Sequence, residues 1–310
     1  GIIRALAQQH EQAGDLDAAV RVIRQALTSS PSSLSLHGYL CHLLRKSGKA
    51  EESLTVAREL ANIYPNAIES QLQLMYATNA CGKLEESLAV ADRVLEREPG
   101  RQDIRDHKLR IQIRLLEQEE RFDEAIELIQ QSLSLSLSLS LSLSCSLCHL
   151  LRKCGKFEES LSVARQLERD YPEAMESLLQ LMYALGACGR LEEACAVADR
   201  ILEREPERRD IRDSRTRMKS KLLEQGGCFD EAINLIRKTI SLNPNDLYYR
   251  SYLCHLLRCA QHPKEALFEA ERLDTEHPES IEGKRQIMYA LDACGRTKEA
   301  LEYAKQLLVE

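Results

Sequence analysis

The sequence repeats itself at two nested periods, and this self-similarity limits what the chain can fold into more than any other feature. Three segments carry the longer period; they begin at Tyr39, Ser146 and Tyr252 and read YLCHLLRKSGKAEESL, SLCHLLRKCGKFEESL and YLCHLLRCAQHPKEAL. Their starting points are 107 and 106 residues apart. A shorter period of 34 residues is marked by prolines, as at Pro31 and Pro65. Repeats of this length predict a stack of small, similar structural units.

Each short unit has the pattern of two helices joined by a tight turn. Leu40, Leu43 and Leu44 follow the spacing of an amphipathic helix, which gives that helix one apolar face. Gly48 then ends the first helix, and a pair of glutamates begins the second, where the helix dipole favours negative charge. Because one helix pair cannot bury its apolar face alone, neighbouring pairs are predicted to stack.

The pattern resembles the tetratricopeptide repeat, a helix–turn–helix unit with the same 34-residue period. The glycine at the turn recurs at Gly14, Gly48, Gly82, Gly155, Gly189, Gly227 and Gly295. The small residue that packs the second helix against the first recurs at Ala19, Ser53, Ser87, Ala125, Ser160, Ala194, Ala232, Ala266 and Ala300.

The resemblance covers essentially the whole chain and implies an all-α fold. This fold is a right-handed α-solenoid of about nine tetratricopeptide-like repeats, grouped into three super-repeats of 106–107 residues. It forms a single solenoid over 1–310, whose repeats are approximately 1–31, 32–65, 66–99, 100–137, 138–172, 173–206, 207–244, 245–278 and 279–310.

The chain departs from the family pattern at identifiable positions. The aromatic residue of the first helix is missing, with His37, Leu109 or Leu178 in its place. Glu120 replaces the turn glycine of the fourth repeat, and in the eighth repeat Pro263 is predicted to start the second helix. The third and sixth repeats are followed by a step of 38 residues. Four extra residues are about one helical turn, so a longer first helix is predicted in every third repeat.

One segment follows a different pattern, because leucine and serine alternate from Ser132 to Ser144. Alternation with period two is typical of a half-buried β-strand. In the repeat register, however, the tract takes the place of a helix end, a turn and the next helix start, with one residue extra. We therefore predict helix, short linker and helix here; a disordered low-complexity segment is the alternative.

Composition and charge restrict the function. The net charge of −7 argues against general nucleic-acid binding, for which an excess of basic residues is typical. The cysteine count of eleven is odd, which argues against a secreted disulfide framework and favours the cytoplasm or another reducing compartment. No signal peptide or membrane-spanning segment is evident in the sequence, so no membrane association is expected.

The candidate chemical motifs have simpler structural explanations. Cys145, Cys148 and His149 match the C-x-x-C-H pattern of covalent haem attachment. The Cys-His pair recurs at Cys41 and Cys254 without a second cysteine, so it is a repeat position, and we expect buried structural thiols. The sequence contains no paired C-x-x-C zinc pattern, phosphate-binding loop or hydrolase motif. It therefore predicts no enzyme activity, no cofactor and no metal site.

The resemblance also implies where a partner binds. In tetratricopeptide-repeat proteins the first helices line the concave surface, and three rows of exposed first-helix positions can be identified in this chain. The rows hold nine basic and four acidic residues, so their net charge of +5 is opposite in sign to that of the chain. The predicted partner-binding groove consists of Arg4, His42, Arg45, Tyr76, Arg110, Arg114, His149, Arg152, Tyr183, Arg217, Lys221, His255, Arg258, Arg285 and Tyr289.

These features predict a non-enzymatic scaffold for protein–protein interaction that binds an extended, acidic peptide or partner surface in this groove. The groove tyrosines would add the amphipathic contact area that recognition surfaces favour. The alternative function is RNA binding of the pentatricopeptide type, although the acidic net charge favours a protein partner and no nucleic acid. Charged helix faces that are only solvated are the third interpretation. The last residues, 307–310, carry no capping helix, which predicts self-association or continuation of the array through uncapped ends.

Overall fold

The computed structural model describes residues 2–135 and 140–309, and these residues form eighteen α-helices in nine consecutive pairs. The first helices of the pairs are α1 (Ile2–Gln12), α3 (Leu34–Lys46), α5 (Ile68–Ala80), α7 (Gln102–Gln118), α9 (Ser140–Lys153), α11 (Met175–Ala187), α13 (Arg209–Gln225), α15 (Leu247–Cys259) and α17 (Ile281–Ala293). The second helices are α2 (Leu16–Ser29), α4 (Ala50–Ile63), α6 (Leu84–Arg97), α8 (Phe122–Leu135), α10 (Phe157–Asp170), α12 (Leu191–Arg204), α14 (Phe229–Leu242), α16 (Pro263–Glu276) and α18 (Thr297–Val309). The predicted all-α array of nine helix–turn–helix repeats is confirmed.

The helices form two compact units, 1–143 and 144–310, with the boundary inside α9. Within each unit a helix packs mainly against the next helix in the chain. First helices also pack against the first helix of the following repeat, as α3 does against α5 and α15 does against α17. The single solenoid over 1–310 stays a prediction. Among the described helices, none combines the length and the apolar composition that crossing a membrane requires.

The turn inside each pair needs a residue in the left-handed backbone region. The seven turn glycines have φ between 72° and 81°. At Gly48 the chain closes the helix end, since the N–H of Gly48 donates to the carbonyl of Arg45 (3.1 Å) and the N–H of Lys49 to that of Leu44 (2.8 Å). Glu120 and the eighth-repeat residue Gln261 adopt the same conformation without being glycine, with φ of 57° and 64°.

Small residues let the two helices of a pair approach closely. Ala19, Ser53 and Ser87 are all 0% exposed. Each serine hydroxyl donates a hydrogen bond to a carbonyl of the first helix, over 3.0 Å from Ser53 Oγ to Cys41 O and 2.8 Å from Ser87 Oγ to Met75 O. A buried hydroxyl therefore keeps a partner, and serine and alanine can both fill this position.

Larger apolar side chains fill the space between successive repeats. In unit 1 Ile23, Leu43 and Leu44 are fully buried in one cluster, and in unit 2 Ile236 and Leu256 are fully buried in another. Burial of this apolar surface is the main favourable contribution to stacking. Each repeat therefore depends on its neighbours for its core.

The predicted longer first helices are present. Helices α7 and α13 each have 17 residues, four more than α5 or α11. An arginine just before each helix holds its start: Arg101 donates to Asp103 Oδ1 (2.8 Å) and to Glu98 Oε2 (3.0 Å), and Arg208 repeats this arrangement before α13. Pro263 is the first residue of α16, as predicted.

The leucine–serine tract is helical wherever the structure describes it. Helix α8 continues to Leu135 and α9 begins at Ser140, so the flanks of the tract are helical rather than extended. The predicted linker falls on residues 136–139, which lie outside the described residues. The extra residue is in α9, which has 14 residues where α3 and α15 have 13. Leucine at every second position also supplies pairs four residues apart, which share one face of a helix.

Candidate functional site

The first helices of unit 1 enclose a groove of about 780 Å³. Its lining comes only from α1, α3 and α5, the first helices of three consecutive repeats. Four of the residues predicted from the sequence lie in it together: Arg4, His42, Arg45 and Tyr76. The structure thus brings these side chains into one open, polar cleft.

Arg45 is a half-buried charge of this groove. Its guanidinium lies 5.5 Å from the centre of the Tyr76 ring and donates a hydrogen bond to Gln73 Oε1 over 3.0 Å. Gln73 in turn donates from Nε2 to Glu69 Oε1 over 2.8 Å. Burial lowers the pKa of Arg45 below its ordinary value. The guanidinium is therefore held in place by a stacked ring and a neutral amide rather than by a carboxylate.

The same arrangement occurs twice in unit 2. Arg152 donates to Gln180 Oε1 (2.9 Å) and lies 5.7 Å from the ring centre of Tyr183. Arg258 likewise donates a hydrogen bond to Gln286 and lies over the ring of Tyr289. The three constellations, called the arginine clusters from here on, are Arg45–Gln73–Tyr76, Arg152–Gln180–Tyr183 and Arg258–Gln286–Tyr289.

The arginine clusters share their electrostatic state. The Arg258 guanidinium is 2.8 Å from Gln286 Oε1 and 5.3 Å from the ring centre of Tyr289. Burial lowers the pKa of Arg152 and of Arg258, as it does for Arg45. Across residues 2–135 and 140–309, none of the three arginines has a carboxylate ion-pair partner within 4 Å. Each cluster thus presents a half-buried positive charge that is bonded to an amide, while the nearest carboxylates, such as Glu69 and Glu282, bond to the glutamine and not to the guanidinium.

Two of the predicted histidines, His42 and His255, are different, because each contacts a carboxylate inside the protein. The Nε2 atom of His42 lies 3.2 Å from Glu11 Oε1. Glu11 also accepts hydrogen bonds from Lys46 Nζ (2.8 Å) and from the hydroxyl of Tyr39 (2.7 Å). Hydrogen bonds from Lys46, then Tyr39 and His42, lower the pKa of Glu11 to about 2. His42 therefore serves to hold Glu11 as well as to line the groove.

Unit 2 places Tyr183, Arg217 and Lys221 along a second groove of about 340 Å³. The Arg217 guanidinium lies 4.4 Å from the ring centre of Tyr248 and 2.9 Å from Asp213 Oδ2. This arginine is therefore neutralised within the protein, unlike those of the arginine clusters. A third groove of about 510 Å³ contains His255, Arg258 and Tyr289.

Several of the predicted residues have partners within the protein. Arg285 pairs with Glu282 Oε2 over 2.8 Å, and Arg114 donates to Asn79 Oδ1 over 2.7 Å. Arg4 lies 5.2 Å from the centre of the Tyr39 ring. The structure places Arg110 and His149 as exposed residues on α7 and α9. These side chains are on first helices as predicted, and the single groove that would join all of the predicted residues stays a prediction.

Sequence reasoning missed the three glutamines and two tyrosines in the middle of α3 and α15. Gln73, Gln180 and Gln286 each follow their arginine by 28 residues, so the same spacing three times was a signal that could have identified them. Tyr39 and Tyr252 each follow a glutamate partner by the same 28 residues. A separation of 28 residues joins facing positions of consecutive first helices.

The cysteines of the repeat position are buried, as predicted. Cys41, Cys148 and Cys254 are all 0% exposed. Burial raises the pKa of Cys41 to about 11 and that of Cys148 and Cys254 to about 12. Since Cys148 is the second cysteine of the C-x-x-C-H pattern, its inaccessible thiol does not suit covalent haem attachment.

Similarity to solved structures supports the identification of the fold. No protein-family model matches the chain, and no curated protein matches it. Among solved structures, the APC/C hetero-tetramer Cut9–Hcn1 is similar with a TM-score of 0.52 and 12% identity, over 89% of this chain and 52% of that one. The chain thus spans about half the length of that neighbour.

Two shorter solved structures are also similar. The TPR-like repeats of a putative kinesin light chain from Podosopora anserina match with a TM-score of 0.44 and 16% identity, over 56% of this chain and 96% of that one. MamA from Desulfovibrio magneticus RS-1 matches with a TM-score of 0.44 and 17% identity, over 56% and 96%. The described residues form nine helix pairs, each with a turn residue of positive φ, and they are similar to Cut9–Hcn1. The chain is therefore an all-α protein with the tetratricopeptide-repeat fold.

Proposed function

We propose that this chain is a non-enzymatic scaffold whose first-helix faces bind an extended acidic peptide or an acidic partner surface. The observation that carries the proposal is the threefold recurrence of the arginine clusters, each with a half-buried guanidinium that has no carboxylate partner. Desolvating a charge without neutralising it costs free energy, and an incoming carboxylate would recover that cost.

The geometry of the clusters suits carboxylate recognition. In each cluster the glutamine and the tyrosine ring hold one side of the guanidinium, so the side chain is ordered before a ligand arrives. Preorganisation reduces the conformational entropy lost on binding. The N–H groups of the guanidinium that do not bond to the glutamine can donate two parallel hydrogen bonds to a carboxylate. Hydrogen bonds to charged groups contribute about 1.5–3 kcal/mol each.

A protein partner fits the charge of the chain better than RNA does. The net charge of −7 repels a polyanion at long range, whereas a short acidic segment meets mainly the local positive charge of a cluster. In the Cut9–Hcn1 structure a chain of this fold is assembled with another protein, and a protein partner is also what we propose here.

The test is a titration of a fluorescently labelled oligoglutamate peptide, followed by anisotropy, with an oligoglutamine peptide of equal length as the neutral ligand. The variant Arg45→Gln, Arg152→Gln, Arg258→Gln should bind oligoglutamate at least about tenfold more weakly, since every cluster loses its charge-assisted contact. Added salt should weaken binding to the wild type, because part of the interaction is between exposed charges.

The matched control is Arg24→Gln, Arg58→Gln, Arg165→Gln, which makes the same change of net charge on second helices. These arginines form exposed ion pairs with Glu52, Glu86 and Glu193, over 2.6, 3.0 and 3.6 Å. The control should bind oligoglutamate like the wild type. An equal loss in both variants would show that only net charge matters, and tighter binding of mixed-sequence RNA than of oligoglutamate at the same salt concentration would favour the RNA-binding alternative.

A further inference from the structure

A glutamate, a histidine and a cysteine meet between α13 and α15 of unit 2. The Nε2 atom of His255 is 2.6 Å from Glu224 Oε1 and 3.6 Å from Cys259 Sγ. All three potential ligand atoms lie within 4.8 Å of one another, and each side chain is partly exposed. We propose that Glu224, His255 and Cys259 bind a zinc ion.

The equivalent positions in other repeats show what is unusual about this cluster. Between repeats one and two the equivalent residues are Glu11 of α1 and His42 and Lys46 of α3, and the Lys46 ammonium lies 2.8 Å from the Glu11 carboxylate. Repeat five also has a lysine, Lys153, at that position. In repeat eight the position is Cys259, so the carboxylate and the imidazole remain while the fixed positive charge is replaced by a metal-binding thiol. A divalent cation would restore the missing charge.

The donor set and the spacing fit zinc. Zinc takes carboxylate, imidazole and thiolate ligands in tetrahedral geometry, with bonds of about 2.0–2.3 Å. Those bond lengths require about 3.5 Å between sulfur and nitrogen and about 3.3 Å between nitrogen and oxygen. The observed Sγ–Nε2 separation of 3.6 Å already matches, and the His255–Glu224 pair has to open by about 0.7 Å to admit the ion.

The surroundings hold two of the ligands in place. The Tyr252 hydroxyl donates to Glu224 Oε2 over 2.6 Å, which leaves Oε1 directed at His255. The Tyr252 ring stacks on the His255 ring, with centroids 5.8 Å apart. Such supporting contacts orient ligands and strengthen metal binding. On binding, the Cys259 thiol would release its proton to solvent and bind the ion as thiolate.

The open groove beside the cluster leaves room for a fourth ligand. Arg258 and Asp292 are the charged residues that line it with His255 and Cys259. A water molecule or a ligand atom of a bound partner can therefore complete the tetrahedron. This inference does not depend on peptide binding at the arginine clusters.

The experiment replaces zinc by Co²⁺, whose thiolate charge-transfer and tetrahedral d–d absorption bands report the ligand set directly. The reduced full chain should bind one Co²⁺ that shows both bands, and Zn²⁺ should displace it. Cys259→Lys, which restores the residue of repeats two and five, should remove these bands and weaken metal binding at least tenfold. Glu224→Gln should weaken binding with the thiolate band retained at high Co²⁺.

Two controls make the result decisive. Cys228→Ser removes an exposed thiol outside the cluster and should leave the spectrum unchanged. Lys46→Cys should create a second Co²⁺ site with Glu11 and His42, so the stoichiometry should rise by one. The proposal is overturned if the wild type shows no tetrahedral bands, or if Cys259→Lys keeps them at full intensity while its helical circular dichroism is intact.

Discussion

At the residue scale, the clearest physical requirement is the left-handed backbone between the two helices of each repeat. Seven repeats meet it with glycine, which has no Cβ to clash there. Glu120 and Gln261 adopt the same φ although the conformation costs an L-residue roughly 1–2 kcal/mol. The packing of the two flanking helices therefore determines the backbone conformation of this turn. Two repeats adopt that conformation without the glycine that suits it best.

Replacing the strained residues with glycine should stabilise the protein. We expect Glu120→Gly and Gln261→Gly each to raise the free energy of unfolding by about 0.5–1 kcal/mol, the relief of strain less the added chain entropy. The measurement is the urea midpoint followed by circular dichroism. The neighbouring variant Ala260→Gly is the control, because Ala260 has φ of −74° and should lose about 1 kcal/mol. If Glu120→Gly and Gln261→Gly both lowered the free energy of unfolding, backbone strain at these two positions would be contradicted.

Hydrogen-bond and ion-pair partners also distinguish predicted site residues that are equivalent in the sequence register. His42 and His255 contact internal carboxylates, and Arg217 and Arg285 have ion-pair partners. The arginine clusters instead have an amide partner, and this difference selects them for the proposed function.

At the element scale, the second helices begin in similar backbone conformations but with different residues. Pro263 begins α16 and follows His262, whose ψ is 57°. Lys49, which precedes α4, has nearly the same ψ, 59°. Proline suits the first helical position because the N–H there has no acceptor within the helix. The start of α4 is therefore compatible with proline although the sequence has Ala50.

Introducing that proline should stabilise α4. We expect Ala50→Pro to raise the free energy of unfolding by about 0.4–1 kcal/mol, because proline restricts the unfolded chain. Thermal unfolding followed by circular dichroism measures the change. Val56→Pro, in the middle of the same helix, should cost about 3 kcal/mol or more. An Ala50→Pro variant as unstable as Val56→Pro would show that the two helix starts differ in conformation.

At the scale of the whole molecule, each of the two units is built from repeats that complete their cores with their neighbours. A defect in one repeat should consequently weaken nearby helices most. Ile23 of α2 is fully buried in unit 1, which makes it a suitable place to introduce a defect.

The variant Ile23→Ala should lose about 2–5 kcal/mol of local stability through lost burial and a cavity. Hydrogen–deuterium exchange with mass spectrometry should show faster exchange in α1 to α4 and unchanged exchange in α13 to α18. Ile236→Ala, at the equivalent place in unit 2, should give the reverse pattern. Uniform acceleration across all helices in either variant would instead indicate that the chain unfolds as one cooperative body.

The sequence alone determined the repeat register, the helix pairs and the first-helix location of the candidate site. Periodic apolar residues, turn glycines and prolines are local signals, and a register seen nine times averages out single departures such as Glu120. The four extra residues correctly predicted the longer α7 and α13, because one helical turn has a fixed length. The helical flanks of the leucine–serine tract followed from the same register.

Only the tertiary structure decided which charges remain available. Whether Arg45 meets Gln73 or a carboxylate, and whether Glu224 approaches Cys259, depends on side chains 28 to 35 residues apart on facing helices. Hydrogen bonds and ion pairs form only when the two atoms lie within about 3–4 Å, so a sequence register that locates a residue on a helix face does not determine its partner. The stacking of consecutive first helices sets those distances, and with them the difference between a neutralised charge and one that can bind a ligand.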